Sequence, residues 1–217
     1  MLINDLASHL QSRLLNAVVR LEAEPLSDKS GHRLGRLVGL EEPPTLTTRA
    51  LQYAELTVTR LQWQNTQSGI PTRLERSQGY LLCLQRRHLP SDPYWIDGRA
   101  TTLSPVGQGQ FLLLDLSEEH ASIVFDEVDC ISMYMPTTAL NRFQEEHDLR
   151  PIGSLRTPRA TALEDGVVRN LGESLLPAFD GPGAASQLFI DHVSLALLSH
   201  LATNYGDASA ALPHIRG

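Results

Sequence analysis

Tyr80-Leu81-Leu82-Cys83-Leu84, closed by Pro90 to Pro93 and followed by Tyr94-Trp95-Ile96-Asp97-Gly98, is the stretch that decides the fold class. A short run of aliphatic and aromatic residues that ends at prolines reads as a strand. Asp97-Gly98 is a strong two-residue turn signal and marks a hairpin edge. The same grammar continues on both sides. Upstream, Leu56, Val58 and Leu61 sit among Thr57, Thr59, Arg60 and Trp63, and the segment ends at 65–69. Downstream, Phe111 to Leu114 follows the Gly107-Gln108-Gly109 turn, then Ile123 to Phe125 and Ile131 to Tyr134 complete the set before Pro136. Six short strands at close, regular spacing predict a small antiparallel sandwich or barrel and not a parallel sheet with helical crossovers.

Beyond Pro136 the period of the apolar residues changes to that of a helix. Thr138 is placed to cap a helix carrying Leu140 and Phe143. Residues 149–160 read as a linker, and Thr161-Ala162-Leu163-Glu164 as a capping box. That box opens a helix on Leu163, Val167, Leu171 and Leu175, which Pro177 stops; Gly166 and Gly172 each weaken it by ~1 kcal/mol. The last helix is expected over 185–205 with Gly206 at its end. Ten of its fifteen positions from Leu188 to Ala202 are apolar, more than one face requires, so it is either buried on two sides or shared with a partner chain. At the other end, residues 1–22 carry Leu6, Leu10, Leu14, Val18 and Leu21 at helical spacing, before an irregular lead-in through Pro43-Pro44. The fold class is therefore α+β, in three parts: 1–44, a strand region 45–136, and a helical region 137–217.

Composition limits what such a chain does. Its 217 residues are 41% hydrophobic and 20% charged, with 18 basic against 25 acidic side chains and a net charge of −7. That balance suits a globular core and opposes nucleic-acid binding by these residues, since phosphate contacts need concentrated positive charge. The longest apolar stretch, Phe189 to Ala202, is interrupted by Asp191, His192, Ser194, Ser199 and His200, and no export signal opens the chain. No membrane role and a cytoplasmic location are expected. Cys83 and Cys130 are too few for a disulfide framework and read as small strand residues.

Catalytic patterns are missing. No phosphate-binding glycine loop and no nucleophile elbow occurs. Of the eight histidines no two are two apart, His192 and His200 lie over two helical turns apart, and the strand region offers only His88 and His120. No metal, no cofactor and no enzyme activity are expected. A binding cavity is the better reading. Leu56, Val58 and Arg60 share one strand face; if that face points inward, Arg60 needs either an internal carboxylate or an anionic ligand. Trp63, Tyr80, Trp95 and Tyr134 join Arg60 as candidate ligand-binding residues, because each combines apolar area with a hydrogen-bonding group. Leu188, Leu195, Leu198 and Leu201 of the last helix are the candidate dimer interface.

The order of these parts resembles the N-terminal effector-sensing and dimerisation region of AraC-type transcription regulators. The resemblance is carried by Leu56-Thr-Val-Thr-Arg60, Tyr80-Leu-Leu-Cys-Leu-Gln85, Tyr94-Trp-Ile-Asp-Gly98, Leu113-Leu-Asp-Leu116, the run from Phe125 to Pro136, and the helix from Leu188 to Leu201, and it covers about residues 45 to 217. It implies a cupin-like β-barrel that binds a small-molecule effector, followed by helices that form a homodimer. It also implies that DNA is read only by a C-terminal module of about 100 residues with two helix-turn-helix motifs, absent from this chain. The ligand expected from Arg60 is anionic or carbonyl-bearing, with sugars open. The alternatives are a cupin-fold metal-dependent enzyme, which the lack of a His-x-His pair opposes, and a stand-alone small-molecule-binding module.

Overall fold

Residues 40, 42–51, 54–64, 69–147, 149, 152–181 and 185–207 are described by the computed structural model. The expected N-terminal helix over 1–22, most of the lead-in and the C-terminal ten residues lie outside them. Nine strands form two antiparallel sheets. They are β1 (Thr45–Thr47), β2 (Thr57–Trp63), β3 (Ile70–Leu74), β4 (Gly79–Gln85) and β5 (Pro93–Ile96), followed by β6 (Arg99–Thr102), β7 (Phe111–Asp115), β8 (His120–Val124) and β9 (Val128–Pro136). The larger sheet has the order β1-β2-β9-β4-β7 and the smaller one β3-β8-β5-β6. The architecture is thus an antiparallel β-sandwich with helices on one side.

The larger sheet is buried on both faces. Along β4, Leu81, Cys83 and Gln85 face the smaller sheet, whereas Tyr80, Leu82 and Leu84 face the helices; along β9, Val128 and Cys130 face the smaller sheet and Ile131, Met133 and Met135 face the helices. This is why these strands read as unbroken apolar runs instead of alternating with polar residues. The hairpin expected at Asp97-Gly98 joins β5 to β6, with Ile96 opposite Arg99. Both turn residues have positive φ, 50° and 72°, the pattern of a type I′ turn.

Three strands have no counterpart among the six expected from sequence. β1, β3 and β6 are Thr-Leu-Thr, Ile-Pro-Thr-Arg-Leu and Arg-Ala-Thr-Thr, too poor in apolar residues to stand out. All three lie at or beside sheet edges, where one flank meets solvent.

β9 runs directly into helix α1 (Thr137–Glu146), which is preceded by Pro136 and has no side-chain cap, so the capping role expected of Thr138 is not taken up. The 149–160 segment is not a bare linker: Ser154–Leu155 (β10) pairs with Gly206–Asp207 (β11). Helix α2 (Gly166–Ser174) starts later than the capping box suggested. Asp165 is its N-cap, accepting from Val167 N at 2.8 Å and Val168 N at 3.2 Å, while Leu163 pairs as a bridge with Phe111. The buried face is consequently Val168, Gly172 and Leu175, and Val167 is exposed. Gly172 lets α2 approach β4 closely, since a Cβ there would stand 2.5 Å from Leu84 Cδ2 and make that side chain shift.

Helix α3 (Gln187–Tyr205) is capped by Ser186, which accepts from Phe189 N, and is anchored by Asp191, which accepts from Thr48 Oγ1 at 2.9 Å and Arg49 N at 2.8 Å. At its far end His200 Nε2 lies 2.7 Å from Asp165 Oδ2, and Tyr205 donates to the same oxygen. α3 is therefore buried on two sides, against the larger sheet and against α2, which accounts for its excess of apolar residues. Among the described residues no helix is long and apolar enough to cross a membrane.

This placement separates the four leucines proposed for an interface. Leu198 and Leu201 are fully buried within the chain, Leu195 is half-buried against the same core, and only Leu188 is exposed, at 67%. Their common apolar character hid that difference. Leu198→Ala is expected to lower unfolding stability by about 2–5 kcal/mol, and Leu188→Ala to change it by no more than about 0.5 kcal/mol, both read by urea titration.

Candidate ligand cavity

A cavity of ≈130 Å³ lies between the two sheets. Leu61, Leu81, Leu112, Leu114, Val124 and Val128 supply most of its wall. The strand registers order its polar groups from one end to the other. Gln85 pairs with Cys130 and Trp63 with Val128 at the end nearest the β8–β9 connection, and Asp92, just ahead of β5, lies toward the same end. Thr72, Ser122 and Tyr94 stand at mid-length, and His120 at the far end.

Most of these groups satisfy one another. Thr72 Oγ1 and Ser122 Oγ are 2.6 Å apart. His120 Nε2 is 2.9 Å from the Asp115 carbonyl oxygen, which only accepts, so Nε2 carries the proton and Nδ1 accepts from Tyr94 Oη at 2.7 Å. Burial lowers the pKa of His120 and raises that of Tyr94, which keeps both neutral in this chain of bonds. Ser132 Oγ lies between the two thiols, 3.8 Å from Cys83 Sγ and 3.6 Å from Cys130 Sγ. Burial pushes the Cys83 thiol up to about 11 and that of Cys130 higher, so neither is a ready nucleophile.

Two lining atoms are left without partners. The indole Nε1 of Trp63 and Oδ2 of Asp92 are both buried and make no hydrogen bond. Asp92 is 8% exposed, and its pKa is raised to about 6 by burial and by the neighbouring Asp126 carboxylate, against a hydrogen bond from the Phe125 backbone N–H. Among the described residues no lysine or arginine lines the cavity.

Of the five residues singled out from sequence, Trp63 alone lines this cavity. Arg60 does share a face with Leu56 and Val58, but that face carries the helices. Its Nε lies 3.6 Å from Asp129 Oδ1, and Asp129 also receives Arg86 Nη1 at 2.6 Å. An internal carboxylate, Asp129, thus stands within ion-pair distance of Arg60. Tyr80 is likewise on the helix side, where its hydroxyl accepts from Leu155 N at 3.1 Å and fastens β10. Trp95 faces away from the interior, its neighbours Tyr94 and Ile96 being the buried ones. Tyr134 belongs to the interior cluster but packs beside Gly79, outside the cavity lining. Sequence reasoning missed Asp92, Gln85 and His120. Asp92 lies in a Pro-Ser-Asp-Pro turn that reads as solvent-exposed, and nothing local shows that the fold closes over it.

Among the described residues no three His, Cys, Asp or Glu side chains are grouped to hold a metal ion. No family model matches the chain, and no curated protein matches it. Several solved structures do. The AraC-like transcriptional activator CuxR aligns over 84% of this chain and 68% of its own at 13% identity, with a TM-score of 0.44. A protein from Photorhabdus luminescens aligns over 58% of this chain and 99% of its own at 11% identity, with a TM-score of 0.32. An RmlC-like cupin from Shewanella frigidimarina aligns over 42% and 84%, at 10% identity and a TM-score of 0.29. Likeness at this level says nothing of what the chain binds.

The unpartnered carboxylate yields a stability prediction with a defined sign. Because its folded pKa is raised, ionised Asp92 opposes folding above about pH 6, and the penalty fades as the group is protonated toward about pH 4. Asp92→Asn is expected to raise stability by about 1–3 kcal/mol at about pH 7.5, with the gain shrinking at about pH 4. Thermal melts at the two pH values read it; a variant less stable at both contradicts the assignment.

Proposed function

We propose that this chain is a cytoplasmic ligand-sensing unit of cupin-like build, holding a small molecule between its sheets and transmitting occupancy to its helices. One observation carries the reading: the sheet that walls the cavity is the sheet on which the helices pack. Leu84 meets Gly172 of α2 on one face of β4, while Cys83 and Gln85 of the same strand line the cavity on the other. A ligand that spreads the sheets changes the seat of α2 and α3, which is the differential contact that allostery needs. In a regulator of the AraC type, such helices would reposition DNA-reading modules lying outside these residues.

Binding without catalysis is favoured by the chemistry of the lining. His120 has both nitrogens occupied, the thiols are held protonated, Thr72 and Ser122 bond each other, and Asp92 is left as the one lining carboxylate, with no nucleophile or metal-ligand group beside it among the described residues. The reading includes a homodimer, and Leu188 with Phe189, both exposed at the start of α3, are the large apolar residues that this helix offers to it. Light scattering of Leu188→Glu against the parent reads that part as loss of the dimer mass.

The cavity is close in size to an engineered ≈150 Å³ apolar cavity that takes up benzene, so one ring is the scale of ligand it accepts. Toluene is a suitable neutral probe. The chain has two tryptophans, with Trp63 in the cavity wall and Trp95 outside it. Saturating toluene is expected to change the emission of the Trp95→Phe variant and leave that of Trp63→Phe unaltered. An unchanged emission in both variants, or a change that follows Trp95, contradicts the assignment.

A further inference from the structure

The cavity's own polar groups specify more than size. Asp92 is more than nine-tenths buried, lines the cavity, and leaves Oδ2 without a hydrogen bond. A native fold seldom tolerates a buried acceptor with no donor, and the other polar pairs here, Thr72 with Ser122 and Tyr94 with His120, are closed. Because Asp92 Oδ2 borders the cavity, a molecule held there is placed to supply the missing donor. Charge narrows the choice. Asp126 lies near enough to Asp92 to act on it electrostatically, and among the described residues no lysine or arginine lines the space. Two carboxylates without a facing cation repel an anion and favour a cationic head that also donates hydrogen bonds. The remainder of the wall, leucines and valines, accepts a small apolar body. Trp63 Nε1, also buried and unpaired, is left for an acceptor atom on the same molecule.

We propose that the ligand is a small primary amine, its ammonium group donating to Asp92 Oδ2 and its ring- or short-chain-sized body filling the space between the sheets. This rests on the reading of the cavity as a ligand site, and it reverses the preference for an anion that Arg60 suggested before its placement outside the cavity. An ammonium bound there stabilises the ionised carboxyl group. Binding therefore strengthens as the pH rises through about 6, the value to which Asp92 is raised in the empty site.

The test is calorimetric titration of the full chain with three probes of one ring size: benzylamine, benzyl alcohol and benzoate. At about pH 7.5 benzylamine is expected to bind at least about tenfold more tightly than benzoate. Asp92→Asn is expected to weaken benzylamine by about tenfold or more and to leave benzyl alcohol within about twofold. Should that variant fold poorly, the parent protein gives the same answer by pH: benzylamine affinity falls as the pH is lowered from about 7.5 to about 5, and benzyl alcohol affinity stays flat. Equal binding of amine and alcohol, or tighter binding of benzoate, overturns the amine assignment while leaving the cavity a ligand site. Failure of all three probes to bind overturns both.

Discussion

The central strands of the larger sheet, β4 and β9, are buried on both faces, and the rest of the structure follows from that constraint. In β4 and β9 one set of alternate residues lines the cavity and the other packs under α2 and α3. Neither face can be moved without the other, because a strand is only one backbone thick and its side chains are fixed in opposite directions by the pleat. The close approach of Gly172 to Leu84 and the direct passage of β9 into α1 tie the helices to the two central strands. A one-residue slip of β4 would put Cys83 and Gln85 under the helices and Leu82 and Leu84 in the cavity.

Burial on both faces also decides how much could be read from the sequence. The existence of strands near 56–63, 80–85, 94–96, 111–114 and 131–134 was legible from aliphatic and aromatic runs between turn residues, and the Asp97-Gly98 hairpin from turn chemistry alone. Which face met which layer was not, because a run apolar on both sides carries no alternation to read. Arg60 shows the consequence. It shares the strand face of Leu56 and Val58, but two faces were available, and only the fold shows that this is the face turned away from the cavity, with Asp129 beside Arg60. The helix starts erred for a related reason. Asp165 outcompeted the Thr161–Glu164 box as a cap because Leu163 is held in a bridge to Phe111, a contact between residues 52 apart in sequence.

The cavity was harder to foresee than the sheets. Its polar groups come from β2, β3, β4, β5, β8 and β9 and the turn ahead of β5, so no local pattern contains them. Trp63 could be singled out as an aromatic with a polar handle. Asp92 could not, since a carboxylate in a proline-bounded turn normally faces water, and what makes it unusual is the proximity of Phe125 and Asp126, brought beside it by the pairing of β5 with β8 in the smaller sheet. A buried carboxylate oxygen left without a donor weakens the empty fold, a cost that selection tolerates where a ligand removes it.

The central claim is that cavity and helices are coupled through one shared sheet, and native-state hydrogen exchange measures it most directly. Amide exchange would be followed with and without saturating toluene. The account predicts slower exchange in β4 and β9 and, with them, in α2 and α3, although no helix residue lines the cavity. Protection confined to β3, β5 and β8 would show that the ligand is held without the helices registering it, and would contradict the account.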